Sequence, residues 1–151
     1  MYTREEASQV RKNFWTSFGQ YMKPIRGAEG GTVNWLNYKT GVKHLYFRMD
    51  AEKRSASVSV EISHPDPQVR AAMYDQLVSM KNIFDESIGE DWHWQPDVYD
   101  EDGRMISRVT TRLENVNVFS SSDWPSIISF FKPRIIALDT FWSMARDLFV
   151  V

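Results

Sequence analysis

One stretch of strict alternation constrains the fold of this chain more than any other feature. From residue 55 to residue 62, small polar or charged residues alternate with the apolar residues Ala56, Val58, Val60 and Ile62. A period of two is typical of a strand with one buried face and one solvated face. Residues 42–50 alternate in the same way, with Leu45, Phe47 and Met49 as the apolar set. The polar break at residues 50–54 therefore predicts an antiparallel hairpin.

A second hairpin is predicted around the turn Asp100-Glu101-Asp102-Gly103. Its Asp-Gly pair is a strong hairpin signal, and strand-like residues 92–99 and 104–113 flank it. Residues 115–119 alternate again. They predict either a fifth short strand or the end of the fourth.

Helical spacing and capping residues predict three helices. Thr3 and Glu6 form a capping-box pattern before a helix over about residues 4–22. Asp66 and Pro67 are typical of the start of a second helix, which Gly89 ends. The third helix is expected from about Trp124 to Phe149, with caps offered by residues 121–123. Pro133 is expected to kink or split that helix.

The connection from Lys23 to about Gly41 is unusually long. It carries Trp35, Leu36 and Tyr38, so we expect it to pack on the core as a lid or a short helical turn. The order helix, hairpin, helix, hairpin, helix predicts an α+β fold. We expect an antiparallel sheet of four to five strands, three main helices packed mainly on one face, and a single domain over residues 1–151.

Composition supports a globular domain and excludes some functions. The chain has 151 residues, 18 Lys and Arg against 20 Asp and Glu, and no Cys. A chain of this length buries a sufficient core without disulfides or a structural metal. The balanced charge argues against a generally basic nucleic-acid protein but leaves a local basic patch open. No signal-peptide or membrane-spanning pattern is found, so we expect a cytoplasmic protein without membrane contact.

The histidines do not indicate a metal or catalytic site. His44, His64 and His93 match no ligand spacing, and no cysteine is available to join them. His93 lies between Trp92 and Trp94, so in a strand it points away from the face that the two tryptophans share. We therefore expect no cofactor and no catalytic residue, and an enzyme is less favoured than a binding protein.

A degenerate metal-dependent nuclease is the weakest of the functional hypotheses. Asp50 and Glu61, on neighbouring predicted strands, resemble its first acidic positions. The nuclease pattern needs a lysine two residues after the second acid, and this chain has Ser63 there. Whether Asp50 and Glu61 form any metal site stays open at this stage.

The most suggestive pattern is a basic stripe. Arg104, Arg108 and Arg112 are four residues apart in a predicted strand, which places them on one face with spacings of roughly 13 Å. Lys43 and Arg48 could extend the stripe into a patch that contacts nucleic acid or an acidic protein. The alternative is an ordinary solvated face on which these arginines pair with Glu61 or with the acidic turn.

Aromatic residues offer a further alternative. Most of the 21 aromatics should be core, and Trp35, Tyr46 and Trp92 are the better candidates for lining a groove. A protein-interaction or homo-oligomerising domain could use exposed aromatics or the apolar end of the chain, residues 148–151.

Several aromatic motifs resemble a known family. They are Trp35 to Lys43, the Trp92-His93-Trp94 triplet, Asp123-Trp124-Pro125, Phe130-Phe131 and Leu138-Asp139. Together they resemble, over nearly the whole chain, a bacterial domain of unknown function numbered forty-two sixty-eight. The resemblance implies a single α+β domain that occurs alone or behind a restriction-like nuclease domain, and hence an auxiliary, nuclease-associated role near nucleic acid. It carries no catalytic residues to this chain.

Overall fold

The computed structural model describes residues 2–150. The elements in chain order are α1 Arg4–Met22, β1 Leu45–Ala51, β2 Ser55–Ile62, α2 Pro67–Ser79, α3 Lys81–Ile88, β3 His93–Tyr99, β4 Met105–Glu114 and α4 Trp124–Ala145. Short 3-10 turns precede and follow α4, at Ser121–Asp123 and Arg146–Leu148. No helix in this part of the chain has the length and apolar character needed to cross a membrane.

The strands form one antiparallel sheet in the order β1-β2-β4-β3. The two predicted hairpins are its two halves, and β2 and β4 join them at the centre. This arrangement confirms the α+β class and the four strands. The fifth strand is wrong, because Asn115 turns out of the ladder with a φ of +63°. The chain then returns to the first hairpin, where the N–H of Val118 donates to the carbonyl of Glu52 (3.0 Å).

Four helices form where three were expected, because the predicted second helix is broken at Met80. That residue has φ −100° and ψ 11°, which ends α2 and begins α3. Both parts bury apolar residues at helical spacing, Met73 and Leu77 in α2 and Phe84 in α3. The predicted ends are confirmed: Asp66 caps α2, and Gly89, at φ +72°, closes α3.

The last helix differs from its prediction in two ways. Pro133 does not split α4. Proline has no N–H, so the carbonyl of Ser129 has no donor within the helix. Both Pro133 and Ser129 are exposed, and water can therefore supply the missing hydrogen bond. No side chain caps the helix start either. Residues 121–123 form the 3-10 turn instead, and the Asp123 carboxylate accepts from the N–H of Asn117 (2.9 Å).

All four helices lie toward one face of the sheet, where the core is built. The central aromatic cluster is formed by side chains of α1 and α4 that are essentially inaccessible to solvent, namely Phe14, Phe18, Phe131, Phe141 and Trp142. The apolar rows of β1 and β2 point into this core. The opposite face of the sheet carries the polar row that the sequence alternation predicted.

The long connection packs on the core, as expected, but through turns and not through a helix. Trp35 is 3% exposed and donates its indole N–H to the carbonyl of Ile25 (3.0 Å). Two residues of α4 hold the segment. The Asp139 carboxylate accepts from the Tyr38 hydroxyl (2.5 Å) and from the N–H of Ala28 (2.7 Å), and Trp142 donates to the carbonyl of Thr40 (2.7 Å).

The Tyr38 hydroxyl makes the fold sensitive to alkali. Burial and the hydrogen bond to Asp139 raise the pKa of Tyr38 well above its usual range. The folded state therefore favours the neutral phenol. Its contribution to stability is complete below the unfolded pKa of about 10 and is lost as the pH rises toward the folded value. We expect the urea midpoint to fall above pH 10 by more in the wild type than in Tyr38→Phe. Equal losses in both proteins would contradict this, and Tyr21→Phe, at an exposed position, is the control.

Candidate functional site

The face of the sheet opposite the helices is polar, and we call it the open face. Cross-strand pairing fixes its membership, because residues directly opposite one another share a face. It is formed by Tyr46, Arg48 and Asp50 in β1, Ser55, Ser57, Ser59 and Glu61 in β2, His93 and Gln95 in β3, and Arg108, Thr110, Arg112 and Glu114 in β4, with the buried Ile106 as an apolar member at one end. Hydroxyl, guanidinium and carboxylate groups thus replace the apolar side chains of the core face.

Arg108 lies at the centre of the open face. It is opposite Glu61 on one side and opposite Gln95 on the other. Its Nε donates to the Gln95 side-chain carbonyl (2.9 Å), an uncharged acceptor. This hydrogen bond holds the guanidinium of the partly exposed side chain in place. Because the acceptor is uncharged, the bond does not neutralise the positive charge of Arg108.

Arg48 and Arg112 flank this central position. Arg48 donates to the Glu61 carboxylate (2.9 Å) and lies over the Tyr46 ring, 4.4 Å from its centroid. Arg112 is exposed, and its Nε lies 3.7 Å from a Glu114 oxygen. That separation is too long for a hydrogen bond, so the pair holds Arg112 only loosely.

The predicted stripe of three arginines is only partly continuous. Arg108 and Arg112 are in β4, but Arg104 precedes the strand and belongs to the acidic turn. Its guanidinium pairs with Asp102 (3.0 Å) and Asp100 (3.6 Å). Arg104 therefore fits the solvated ion-pair interpretation better than the stripe.

The other predicted residues are divided between surface and core. Lys43 is exposed and, with Tyr46, lines a shallow depression of about 250 Å³ beside β1. Trp35 and Trp92 are 3% and 7% exposed. Both tryptophans therefore belong to the core, and Trp35 also lines a shallow depression of about 260 Å³ together with Leu36. Trp92 packs edge-on against Phe84 and donates its indole N–H to Glu90 (2.7 Å).

A groove runs over the β3 side of the open face, with a volume of about 510 Å³. We call it the groove cavity. Its lining includes Ser57, His93, Gln95, Arg108, Thr110 and Arg112. His93 does point away from the face that Trp92 and Trp94 share, as its position in the strand predicted. The groove cavity offers two guanidinium groups together with hydroxyl, amide and imidazole groups, and the carboxylates of Asp91 and Glu114 also line it.

The two acids of the nuclease hypothesis are separated. Asp50 is opposite Ser57, whereas Glu61, four residues along β2, is opposite Tyr46 and is paired with Arg48. Four residues along a strand correspond to roughly 13 Å. Across residues 2–150, no group of three or more His, Asp and Glu side chains is close enough together to hold a metal ion.

Asp50 nevertheless has an unfavourable electrostatic environment. Burial raises the pKa of Asp50, and the negative charges of Glu101 and Glu61 raise it further, while Arg48 and Arg108 act in the opposite direction. Glu101 belongs to the β3–β4 turn, and its charge acts on Asp50 together with that of Glu61. The carboxylate is therefore a repulsive element within a partly basic surface.

A second, larger cavity of about 820 Å³ lies where β1 begins and β2 ends. We call it the end cavity. Open-face residues, the tip of the second hairpin and the start of α2 all line it, including Tyr46, Arg48, Glu61, Arg70, Asp97 and Arg104. Sequence reasoning did not single out Arg70. The sequence feature that could have identified it is a charged residue at helical spacing from Met73 and Leu77, on the side of α2 that is buried.

Comparison with known proteins gives a family match only. A family model described as Domain of unknown function (DUF4268) matches residues 10–146. This is the family that the aromatic motifs resemble. No curated protein and no solved structure matches the chain.

Proposed function

The chain belongs to the family described as Domain of unknown function (DUF4268), and we propose that it is a non-catalytic binding module that holds the phosphate backbone of a nucleic acid on the open face. The observation that carries the proposal is the position of Arg108 and Arg112 in the groove cavity. Arg108 is held by the neutral amide of Gln95, and Arg112 is held only loosely by the carboxylate of Glu114.

Guanidinium groups are well suited to phosphate. Arg presents several donors in a planar fork, and charge-assisted hydrogen bonds to phosphate are about twice as strong as neutral ones. Arg108 and Arg112 are four residues apart in β4, or roughly 13 Å. Ser57, Thr110 and His93 add hydrogen-bonding groups between and beside them. An extended strand of nucleic acid laid along β4 could contact both guanidiniums.

The charge on the open face is mixed, which sets the expected strength of binding. Arg48, Arg108 and Arg112 are countered by three carboxylates on the same face, those of Asp50, Glu61 and Glu114. Only a few phosphate contacts can form, so the affinity for nucleic acid should be modest. It should fall as the salt concentration rises, because salt ions compete with the arginines for the phosphates. The salt dependence is then a direct test of whether phosphates are contacted.

The experiment is fluorescence anisotropy with labelled single- and double-stranded DNA and RNA, titrated from low to physiological salt. We expect binding at low salt that weakens with a log–log slope of about −1.4 to −2.1 for single strands, from two to three contacts. The same titration with a poly-glutamate peptide tests the acidic-protein alternative. Absence of nucleic-acid binding at low salt, with binding of the peptide, would overturn the proposal in favour of that alternative.

Removing the charge of Asp50 should strengthen binding. In Asp50→Asn the repulsive carboxylate beside Arg48 and Arg108 is lost while its size is kept. We expect affinity for single strands to rise about threefold, the effect of one partly screened charge. Asp75→Asn on the exposed side of α2 is the matched control. An unchanged or reduced affinity in Asp50→Asn would place the bound phosphates away from β1.

A self-association function is the second candidate, favoured by the apolar end of the chain. Leu148 is 57% exposed and Val150 is 73% exposed, while Phe149 is buried against Trp142. Val151 lies outside the described residues. Light scattering over a range of protein concentrations tests this candidate. A mass that stays at one chain up to the highest concentration would contradict it.

A further inference from the structure

Arg70 is an unusual residue for the buried side of a helix. Its side chain is 6% exposed, and its Nη2 donates to the Asp97 carboxylate (3.1 Å). Its Nε is buried and has no hydrogen-bond partner. A buried donor without an acceptor is costly, and such groups call for an explanation. Here the residue lines the end cavity.

The end cavity adjoins the proposed binding surface. Glu61 lines it, and Arg108, directly opposite Glu61 in the neighbouring strand, lines the groove cavity. A ligand lying along β4 therefore reaches the end cavity at one end of its path. The volume of about 820 Å³ accommodates a nucleotide-sized group.

Three arginines line this cavity, and each forms an ion pair with a carboxylate. Arg48 pairs with Glu61, Arg70 with Asp97, and Arg104 with the acidic turn. The Asp97 side chain is 65% exposed and the Asp102 side chain is 74% exposed. Exposed carboxylates are weakly held by their partners. An entering anion with more charge can therefore displace Asp97 from Arg70 and Asp102 from Arg104, whereas Asp100, 21% exposed, stays beside Arg104.

We propose that the end cavity binds the terminal phosphate of a nucleic-acid strand whose backbone lies on the open face, with Arg70 as the principal ligand. The inference rests on the proposed function and names the part of the strand that this site takes. A terminal phosphate monoester has a charge of about −1.5 to −2 at neutral pH and three acceptor oxygens, more than an internal diester offers. The end cavity lies beyond Arg108, where the open face meets α2 and the tip of the second hairpin, so a strand laid along β4 brings its end to this site.

The test uses internally labelled oligonucleotides of one sequence with a 5′-phosphate, a 3′-phosphate or hydroxyls at both ends. We expect one of the two phosphorylated forms to bind at least tenfold more tightly than the hydroxyl form. In Arg70→Met the hydroxyl form should bind as it does to the wild type, and the gain from the terminal phosphate should disappear. Methionine fills a similar volume without a buried charge, so the melting temperature should not fall.

Asp97→Asn keeps an acceptor for Arg70 at an exposed position and therefore tests the proposal without risk to the fold. The variant removes one negative charge from the cavity, so its preference for the phosphorylated form should increase about threefold or more. Equal binding of all three oligonucleotides by the wild type overturns the terminal-phosphate site but leaves the open face as a backbone-binding surface. Absence of binding by any of them overturns the proposed function itself.

Discussion

Reversing the charge of Arg108 is expected to abolish nucleic-acid binding while the protein stays folded. The side chain lies at the centre of the open face and its only hydrogen bond in the described chain is to Gln95. Arg108→Glu removes a charge-assisted contact of about 1.5–3 kcal/mol and adds repulsion, so affinity should fall by well over tenfold. Anisotropy at low salt measures the loss, and circular dichroism with thermal melting confirms the fold.

A matched variant separates the local effect from that of net charge. Lys12 is exposed on α1, on the helical side of the protein, so Lys12→Glu makes the same change in charge far from the open face. It should bind within about twofold of the wild type, because distant surface charges are screened. Arg108→Gln should bind with a salt slope smaller by about one. If Arg108→Glu and Lys12→Glu weaken binding equally, the nucleic acid is attracted by the net charge of the protein and Arg108 does not contact it specifically.

Deleting the carboxylate of Asp139 is expected to have the largest effect on stability. Asp139 is 7% exposed and accepts two hydrogen bonds from the long connection, from Tyr38 and from Ala28. Asp139→Ala leaves both donors unsatisfied in a partly buried place, which should cost about 2–4 kcal/mol in the free energy of unfolding. Urea denaturation measures this cost.

Two controls define the Asp139 result. Asp147→Ala removes an exposed carboxylate just beyond α4 and should change stability by less than about 0.5 kcal/mol. Asp139→Asn keeps one carbonyl acceptor and should lose less than the alanine variant. A loss below about 1 kcal/mol in Asp139→Ala would mean that Trp35 and Trp142 hold the connection without the carboxylate.

Local features of the fold could be predicted from the sequence. The alternation over β2, the capping box of α1 and the Asp-Gly turn each depend on residues close together in the chain, and each is confirmed. The break at Met80 and the uninterrupted α4 could not be predicted in the same way. The first is a backbone conformation at the buried Met80, and the second goes with Pro133 facing solvent.

The candidate site was predictable to a lesser extent. Strand periodicity was enough to place Arg108 and Arg112 on the polar face. Whether Arg104 belongs to the same row depends on where β4 begins, and β4 begins at Met105. Periodicity does not show whether an aromatic residue between elements is buried, and Trp35 and Trp92 are. Arg70 reaches the end cavity only through the contact of α2 with the second hairpin, which is a property of the tertiary structure.

A map of the protein surface that the nucleic acid contacts shows directly whether binding occurs on the open face. Amide ¹⁵N–¹H spectra of the protein would be recorded during titration with a short single-stranded DNA at low salt. Binding on the open face predicts that the largest shifts fall at Ser57, Gln95, Arg108, Thr110 and Arg112, and that the exposed side of α1 stays unchanged. Shifts concentrated on the helices, with the residues of β2 and β4 unaffected, would contradict it.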